Sequence, residues 1–123
     1  MSETKTYHGS CHCGAVRFEV DTALETVGRC NCSLCRRKGI LMTRVPAEAL
    51  RVAADDDALG VYQWNTGAAR HYFCKRCGIY THHQPRTAPA ERGVNVGCLE
   101  GVDPFAFTDV KVLDGAALSS VSS

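Results

Sequence analysis

No apolar run in this chain of 123 residues approaches the ~20 residues that a membrane-spanning helix needs. Charge of one sign is equally lacking. Fourteen Lys and Arg stand against 13 Asp and Glu, a formal net charge of +1, so neither nucleic acid nor an anionic membrane is expected as a general partner. Aromatic residues make up only 7%. Trp64, with Tyr62, Tyr72 and Phe73 nearby, reads as core or pocket wall rather than a platform for stacked bases. No internal repeat and no long amphipathic helical pattern is present, which excludes solenoids and helical bundles. Residues 1–5 lack the basic start and apolar stretch of a secretory signal. A reducing cytoplasm is the expected location.

Cysteine, by contrast, is abundant: there are eight. Seven form three tight clusters, Cys11 with Cys13, Cys30 with Cys32 and Cys35, and Cys74 with Cys77. In a reducing compartment such clusters bind metal or do redox chemistry more often than they pair as disulfides. Seven ligands make one complete four-sulfur site and leave three. Three protein ligands with an open fourth position is how catalytic zinc is usually held.

The length fits one domain, with a core at about residues 5–113 and a frayed tail over 115–123. Residues 15–20 alternate, with Val16, Phe18 and Val20 on one face, as in a half-buried strand. Further strands are predicted at 39–45, 59–64, 69–74, 79–82 and 94–99, with an edge strand at 110–113. One helical turn is predicted over 46–50, a hairpin turn at Asn65-Thr66-Gly67 and a solvated loop at Asp55-Asp56-Asp57. Many short strands without a long helix indicate an all-β domain.

Cys74-Lys75-Arg76-Cys77-Gly78 has the form of a metal knuckle. A redox dithiol of the same spacing would open a helix in an α/β chain, and that context is missing here. The knuckle needs a second pair of ligands. Cys11 and Cys13 would complete a tetrahedral site and leave the three-cysteine loop whole. Two of Cys30, Cys32 and Cys35 would serve instead only by breaking that loop up. The first partition is the simpler, and it ties the start of the chain to its middle across roughly sixty residues.

Residues 8–16 (His8-Gly9-Ser10-Cys11-His12-Cys13-Gly14-Ala15-Val16) resemble the opening of the glutathione-dependent formaldehyde-activating enzyme family, also described as a CENP-V/GFA domain. Residues 30–36 resemble its middle motif, 73–78 its third and 94–99 its late strand. The resemblance covers about residues 7–113. It implies a β-tent fold of small antiparallel sheets around zinc. It also implies a structural zinc on Cys11, Cys13, Cys74 and Cys77, and a second, more labile zinc on Cys30, Cys32 and Cys35. The implied activity is that of a carbon–sulfur lyase acting on the adduct of glutathione and formaldehyde.

Arg36, Arg37 and Lys38, directly after the trio, are the expected offset to the thiolate charge and the expected contacts for the carboxylates of a glutathione-like substrate, Arg36 first because it adjoins the ligand loop. Any of His8, His71, His82 and His83 could supply a titrating group, and the sequence does not choose among them. The ring of His12 is expected to point away from the first metal. Cys98, on a predicted strand, reads as a buried apolar thiol. Two alternatives remain: a non-enzymatic zinc module with a macromolecular partner, and a thiol redox enzyme using Cys98 or the trio.

Overall fold

A computed structural model describes residues 3–64 and 66–114. Among them are ten strands, three short 3-10 segments and one α-helix, so the fold is the expected all-β one. β1 (Lys5–Ser10), β2 (Val16–Thr22) and β5 (Leu50–Ala54) form a three-stranded antiparallel sheet in the order β1-β2-β5.

The larger sheet takes β3 (Val27–Cys30), β4 (Met42–Pro46), β6 (Leu59–Tyr62), β7 (Arg70–Cys74), β8 (Tyr80–Gln84), β9 (Glu91–Asn95) and β10 (Val110–Leu113). Their order is β10-β3-β4-β9-β8-β7-β6. Its pairings are antiparallel except for the edge strand β10, which runs parallel to β3. The helix α1 (Ser33–Lys38) follows β3.

The alternation read in β2 is what builds the core. Phe18 and Val20 pack with Val27, Val45 and Val94 of the larger sheet and with Leu41, Val96 and Leu99 beside its strands. Val16 instead joins Ala15, Ala58, Cys11 and Cys74 in a second cluster, which contains two of the sulfurs. The sheets are stitched together where Gly9 bridges Leu99 and the Glu100 N–H donates to the His8 carbonyl at 2.8 Å.

Several expectations change in detail. The predicted strand at 94–99 ends at Asn95, whose side-chain oxygen accepts the Gly97 N–H at 2.9 Å and turns the chain into a 3-10 segment, Val96–Cys98. Cys98 is therefore not on a strand. The strand predicted from residue 39 begins at Met42, because Gly39 at φ 64° closes the helix. The turn at 46–50 is present as a 3-10 segment, Ala47–Ala49.

β6 and β7 pair as a hairpin, although Asn65 of the connecting turn lies outside the described residues. The expected tail at 115–123 lies outside them as well. The acidic loop is more than solvated: Asp55 pairs with Arg17 and Arg76, and Asp57 with Lys75 at 2.6 Å. Exposed pairs of this kind each contribute at most about 1 kcal/mol.

Gly9 faces Phe18 across the β1–β2 ladder, and a Cβ there would lie 2.4 Å from the Phe18 ring. Phe18 is buried and its displacement would disturb the main core. Gly9→Ala should therefore destabilise the protein by about 1–3 kcal/mol in a denaturant titration. An unchanged midpoint would mean that the ring moves aside without penalty.

Candidate metal centres

The first centre grows from two turns of similar construction. After β1 the chain turns through Cys11 and Cys13, with Gly14 at φ 84°, into β2. The Val16 N–H donates to Cys11 Sγ at 3.3 Å. After β7, Gly78 at φ 81° closes a second turn with its N–H on the Cys74 carbonyl at 2.8 Å. The Arg76 and Cys77 N–H groups point at Cys74 Sγ, at 3.3 and 3.4 Å. Backbone donors aimed at sulfur favour the thiolate form.

The sulfurs of Cys11, Cys13, Cys74 and Cys77 all lie within 4.8 Å of one another. Cys11 and Cys13 are 3.7 Å apart and Cys13 and Cys74 3.6 Å. A disulfide would need about 2.05 Å, and all eight cysteines are free. A tetrahedral ion with metal–sulfur bonds of about 2.3 Å places its ligands about 3.8 Å apart, so the cluster has the spacing of a metal site.

Its electrostatics also call for a cation. At Cys77 burial opposes ionisation, but N–H groups of Cys13 and Ile79 and the neighbouring sulfurs pull the thiol down to about 6. At Cys13 the Ala15 N–H favours the thiolate, yet burial and the other three sulfurs push it up to about 11. Without a positive ion the four cannot all be ionised.

The second centre lies at the end of β3. Cys30 closes the strand, Cys32 caps α1 by accepting the Cys35 N–H at 3.3 Å, and Cys35 sits one turn on. Their sulfurs also lie within 4.8 Å of one another, with no fourth His, Cys, Asp or Glu joining them among the described residues. The first four ligands thus form a closed set and these three an open one. Burial raises the Cys35 and Cys30 thiols, while N–H donors hold Cys32 low against its own burial.

The cation of this centre is Lys38. It ends α1, three residues after Cys35 and hence on the same helical face. Its ammonium lies 3.5 Å from the centroid of the Tyr80 ring, and its field acts on Cys35, Cys32 and Cys30. Tyr80 in turn shares a 2.9 Å hydrogen bond with His71 Nδ1, and His71 stacks on His83 at 5.6 Å. Arg36 and Arg37 are exposed on α1, and Arg37 donates to the Ser33 carbonyl at 2.6 Å.

A cavity of about 470 Å³ opens beside the trio, lined by Cys30, Cys35, Lys38 and His83, and by neither Arg36 nor Arg37. The sequence offered Lys38 with Arg36 and Arg37 as an offset to the thiolate charge but put Arg36 first, because no helix was expected at residue 33. The i, i+3 spacing from Cys35 was the available signal.

The histidines divide by position. His8 and His12 are outside the core, His8 beside Glu19 at 3.5 Å and His12 exposed. His71, His82 and His83 are buried. Burial, then the Lys38 charge, lowers His71 to about 4, and the same two causes hold His83 well below its ordinary range, so both are neutral at pH 7. His82 bonds Thr81 at 2.8 Å and stacks on Tyr72 at 4.5 Å. Cys98 approaches the Tyr80 carbonyl at 3.8 Å, and burial pushes its thiol up to about 12, which makes it a poor nucleophile.

Two outcomes test this arrangement. Burial, then Arg92, lowers His82 from 6.5 to about 4. Its folded pKa lies below the unfolded one, so its contribution is complete above about pH 6.5 and lost as pH falls toward 4. Over that window His82→Asn should lose stability less steeply than the parent, by up to about 1.4 kcal/mol per pH unit; identical slopes would refute the neutral buried ring. Lys38→Met should weaken divalent-metal binding at the trio roughly 10–100-fold in chelator competition and leave the four-sulfur site unchanged.

Comparison with known proteins agrees with this geometry. A protein-family model described as "Glutathione-dependent formaldehyde-activating enzyme" matches residues 6–110. A Halomonas elongata protein named "Putative glutathione-dependent formaldehyde-activating enzyme" is 34% identical over 82 residues, covering 56% of this chain and 50% of that protein. The match thus spans about half the length of that curated relative. The crystal structure of a Rhodobacter sphaeroides protein is similar at a TM-score of 0.82 and 45% identity, over 86% of this chain and 99% of that one. On the family match over most of its length, this chain belongs to the glutathione-dependent formaldehyde-activating enzyme family.

Proposed function

We propose that the chain is a single-domain, zinc-dependent carbon–sulfur lyase-like enzyme that forms or cleaves the adduct of glutathione and formaldehyde, S-hydroxymethylglutathione. The observation that carries this reading is the contrast between a closed set of four sulfurs and an open set of three lining a cavity. The family name and the name of the Halomonas elongata relative support the substrate class. Cys11, Cys13, Cys74 and Cys77 would hold the structural ion, and Cys30, Cys32 and Cys35 the reactive one. All-thiolate donors at tetrahedral spacing suit zinc. Seven reduced thiols favour a reducing compartment such as the cytoplasm, and no described helix is long and apolar enough to cross a membrane.

In the forward direction the thiol sulfur bonds to the aldehyde carbon, the carbonyl π bond breaks, and the sulfur's proton ends on the new hydroxyl. Bound zinc supplies Lewis acidity for the oxygen on which negative charge grows. The chain's own residues set the field around that oxygen. Lys38 places a positive charge beside three thiolates and inside the cavity, offsetting the net −1 of a zinc with three thiolates. Tyr80, fixed by His71, holds the ammonium in place through its ring face. His83 lines the cavity as a neutral ring and adds no competing charge.

Cys98 is a poor candidate for redox chemistry because its thiol stays protonated. The lack of a fourth in-chain ligand at the trio, among the described residues, favours an open site over a purely structural second zinc.

Purified protein should contain between one and two zinc ions per chain, the deficit falling at the trio. Cys32→Ser should keep the parent's circular dichroism and near-parental thermal midpoint, lose the second ion and abolish catalysed exchange between glutathione, formaldehyde and their adduct in magnetisation-transfer NMR. Parental exchange in that variant would remove the proposed reactive centre.

A further inference from the structure

We infer that the hydroxyl of Tyr80 donates a hydrogen bond to the oxygen that comes from the aldehyde, with His71 as the residue that positions it. This deepens the reading above and rests on it in one respect, that the thiol–aldehyde adduct sits at the three-sulfur centre.

The key is a nitrogen without a partner. His71 is 1% exposed, and its Nε2 is buried with no hydrogen bond among the described residues. A neutral imidazole carries one N–H and one bare nitrogen, and burial keeps this ring neutral at pH 7. A proton on Nε2 would be a buried donor with nothing to receive it, the rarer kind of orphan. The proton therefore belongs on Nδ1, which lies 2.9 Å from the Tyr80 oxygen. Nδ1 donates and the phenol oxygen accepts.

That direction leaves the proton of the Tyr80 hydroxyl unspent. Lys38 cannot take it, because an ammonium has no acceptor. The Tyr80 ring stands between two residues of the cavity wall. The Lys38 ammonium lies 3.5 Å from its centroid, and the His83 ring is tilted against it at 6.2 Å. Lys38 and His83 both line the cavity that opens beside Cys30 and Cys35. Burial, then the charges of Cys35, Cys32 and Cys30, hold the phenol well above its ordinary range. It is thus within the field of the trio and stays protonated at pH 7.

Such a donor suits an oxygen that gains negative charge. In the addition, charge grows on the aldehyde oxygen as sulfur bonds to carbon, and a fixed donor in a partly buried site stabilises it. The phenol keeps its own proton, and the new hydroxyl still receives the one that leaves the sulfur. In the finished adduct the same donor meets the hydroxyl oxygen. Lys38 supplies charge and Tyr80 supplies direction. An ammonium on a flexible stem is a poor guide to one oxygen, whereas this phenol is held at its ring face by Lys38 and at its oxygen by His71.

Tyr80→Phe removes the hydroxyl and keeps the ring face under Lys38, so its zinc content should be parental. Calorimetry on the zinc-loaded full chain compares two ligands in the same excess of formaldehyde: the adduct formed from glutathione, and S-ethylglutathione, which carries a methyl in place of the hydroxyl. We expect the parent to prefer the adduct roughly tenfold or more. The variant should bind S-ethylglutathione as the parent does and lose most of that preference. Catalysed exchange in magnetisation-transfer NMR should fall at least about tenfold in the variant. Ring-nitrogen NMR spectra of the parent should show the His71 proton on Nδ1. An adduct preference as large in Tyr80→Phe as in the parent, or a proton on Nε2, would overturn the inference. Exchange that survives intact in the variant would overturn it too and leave the reaction standing. A preference that vanishes in the variant, with no catalysed exchange by the parent, would uphold the inference and sink the reaction.

Discussion

Four sulfurs from turns 61 residues apart in sequence meet within 4.8 Å, and most of the molecule is arranged around that meeting. Neutral thiols gain little from such crowding, and thiolates repel one another across it. A bound cation would turn the repulsion into a cross-link between the first hairpin and the β7–β8 hairpin. The link matters because the cluster packed around it is small, with Ala15, Val16 and Ala58 joining Cys11 and Cys74. Few apolar contacts hold this end of the molecule. Arg17, Arg76 and Lys75 with Asp55 and Asp57 cover it from outside, but exposed ion pairs are too weak to replace the bonds to metal.

The same link positions the second centre. Tyr80 starts β8 only three residues after Cys77, so the turn that holds two sulfurs also sets where that ring stands. Its carbonyl accepts from Asn95 at 2.8 Å, which fixes β8 against the end of β9. The ring then carries Lys38, and Lys38 faces the trio. A physical path thus runs from the closed site to the open one through a tyrosine and a lysine.

Much of this was legible in the sequence because sulfur chemistry leaves a sharp trace. The 4 + 3 partition was the simpler of the two that the spacing allowed and the one the family resemblance implied, and the alternation of Val16, Phe18 and Val20 gave β2 its buried face. β1 and β5 were less visible because both are largely exposed and lack alternation. The six-residue helix α1 was hidden because its cap is a cysteine, whose sulfur accepts the N–H that Ser or Asp would ordinarily take. Missing that helix put Arg36 ahead of Lys38 among the three basic residues that follow the trio. The break at Asn95 was hidden too, since a strand-like run of Val-Asn-Val-Gly-Cys-Leu shows its turn only through a side-chain bond from Asn95 to Gly97.

The charge balance of the open site explains why a lysine rather than an arginine suits this position. A dication with three thiolates carries a net charge of −1, which a half-buried setting penalises unless a positive charge stands close by. An ammonium is a compact charge that can sit against a ring face on one side and sulfur on the other, whereas a guanidinium spreads its charge over a planar fork. With Lys38 in place the site as proposed is near neutral. The wall of the cavity beside the site is largely apolar, and a lower local dielectric strengthens electrostatic contacts. A metal held there would be only mildly acidic, because three sulfurs donate to it, and the ammonium would add part of the stabilisation that the metal's own charge lacks. On the proposed reading, Cys30, Cys32 and Cys35 would hold a weak Lewis acid, Lys38 would add a fixed positive charge near a developing oxyanion, and the Tyr80 ring would keep that ammonium in place.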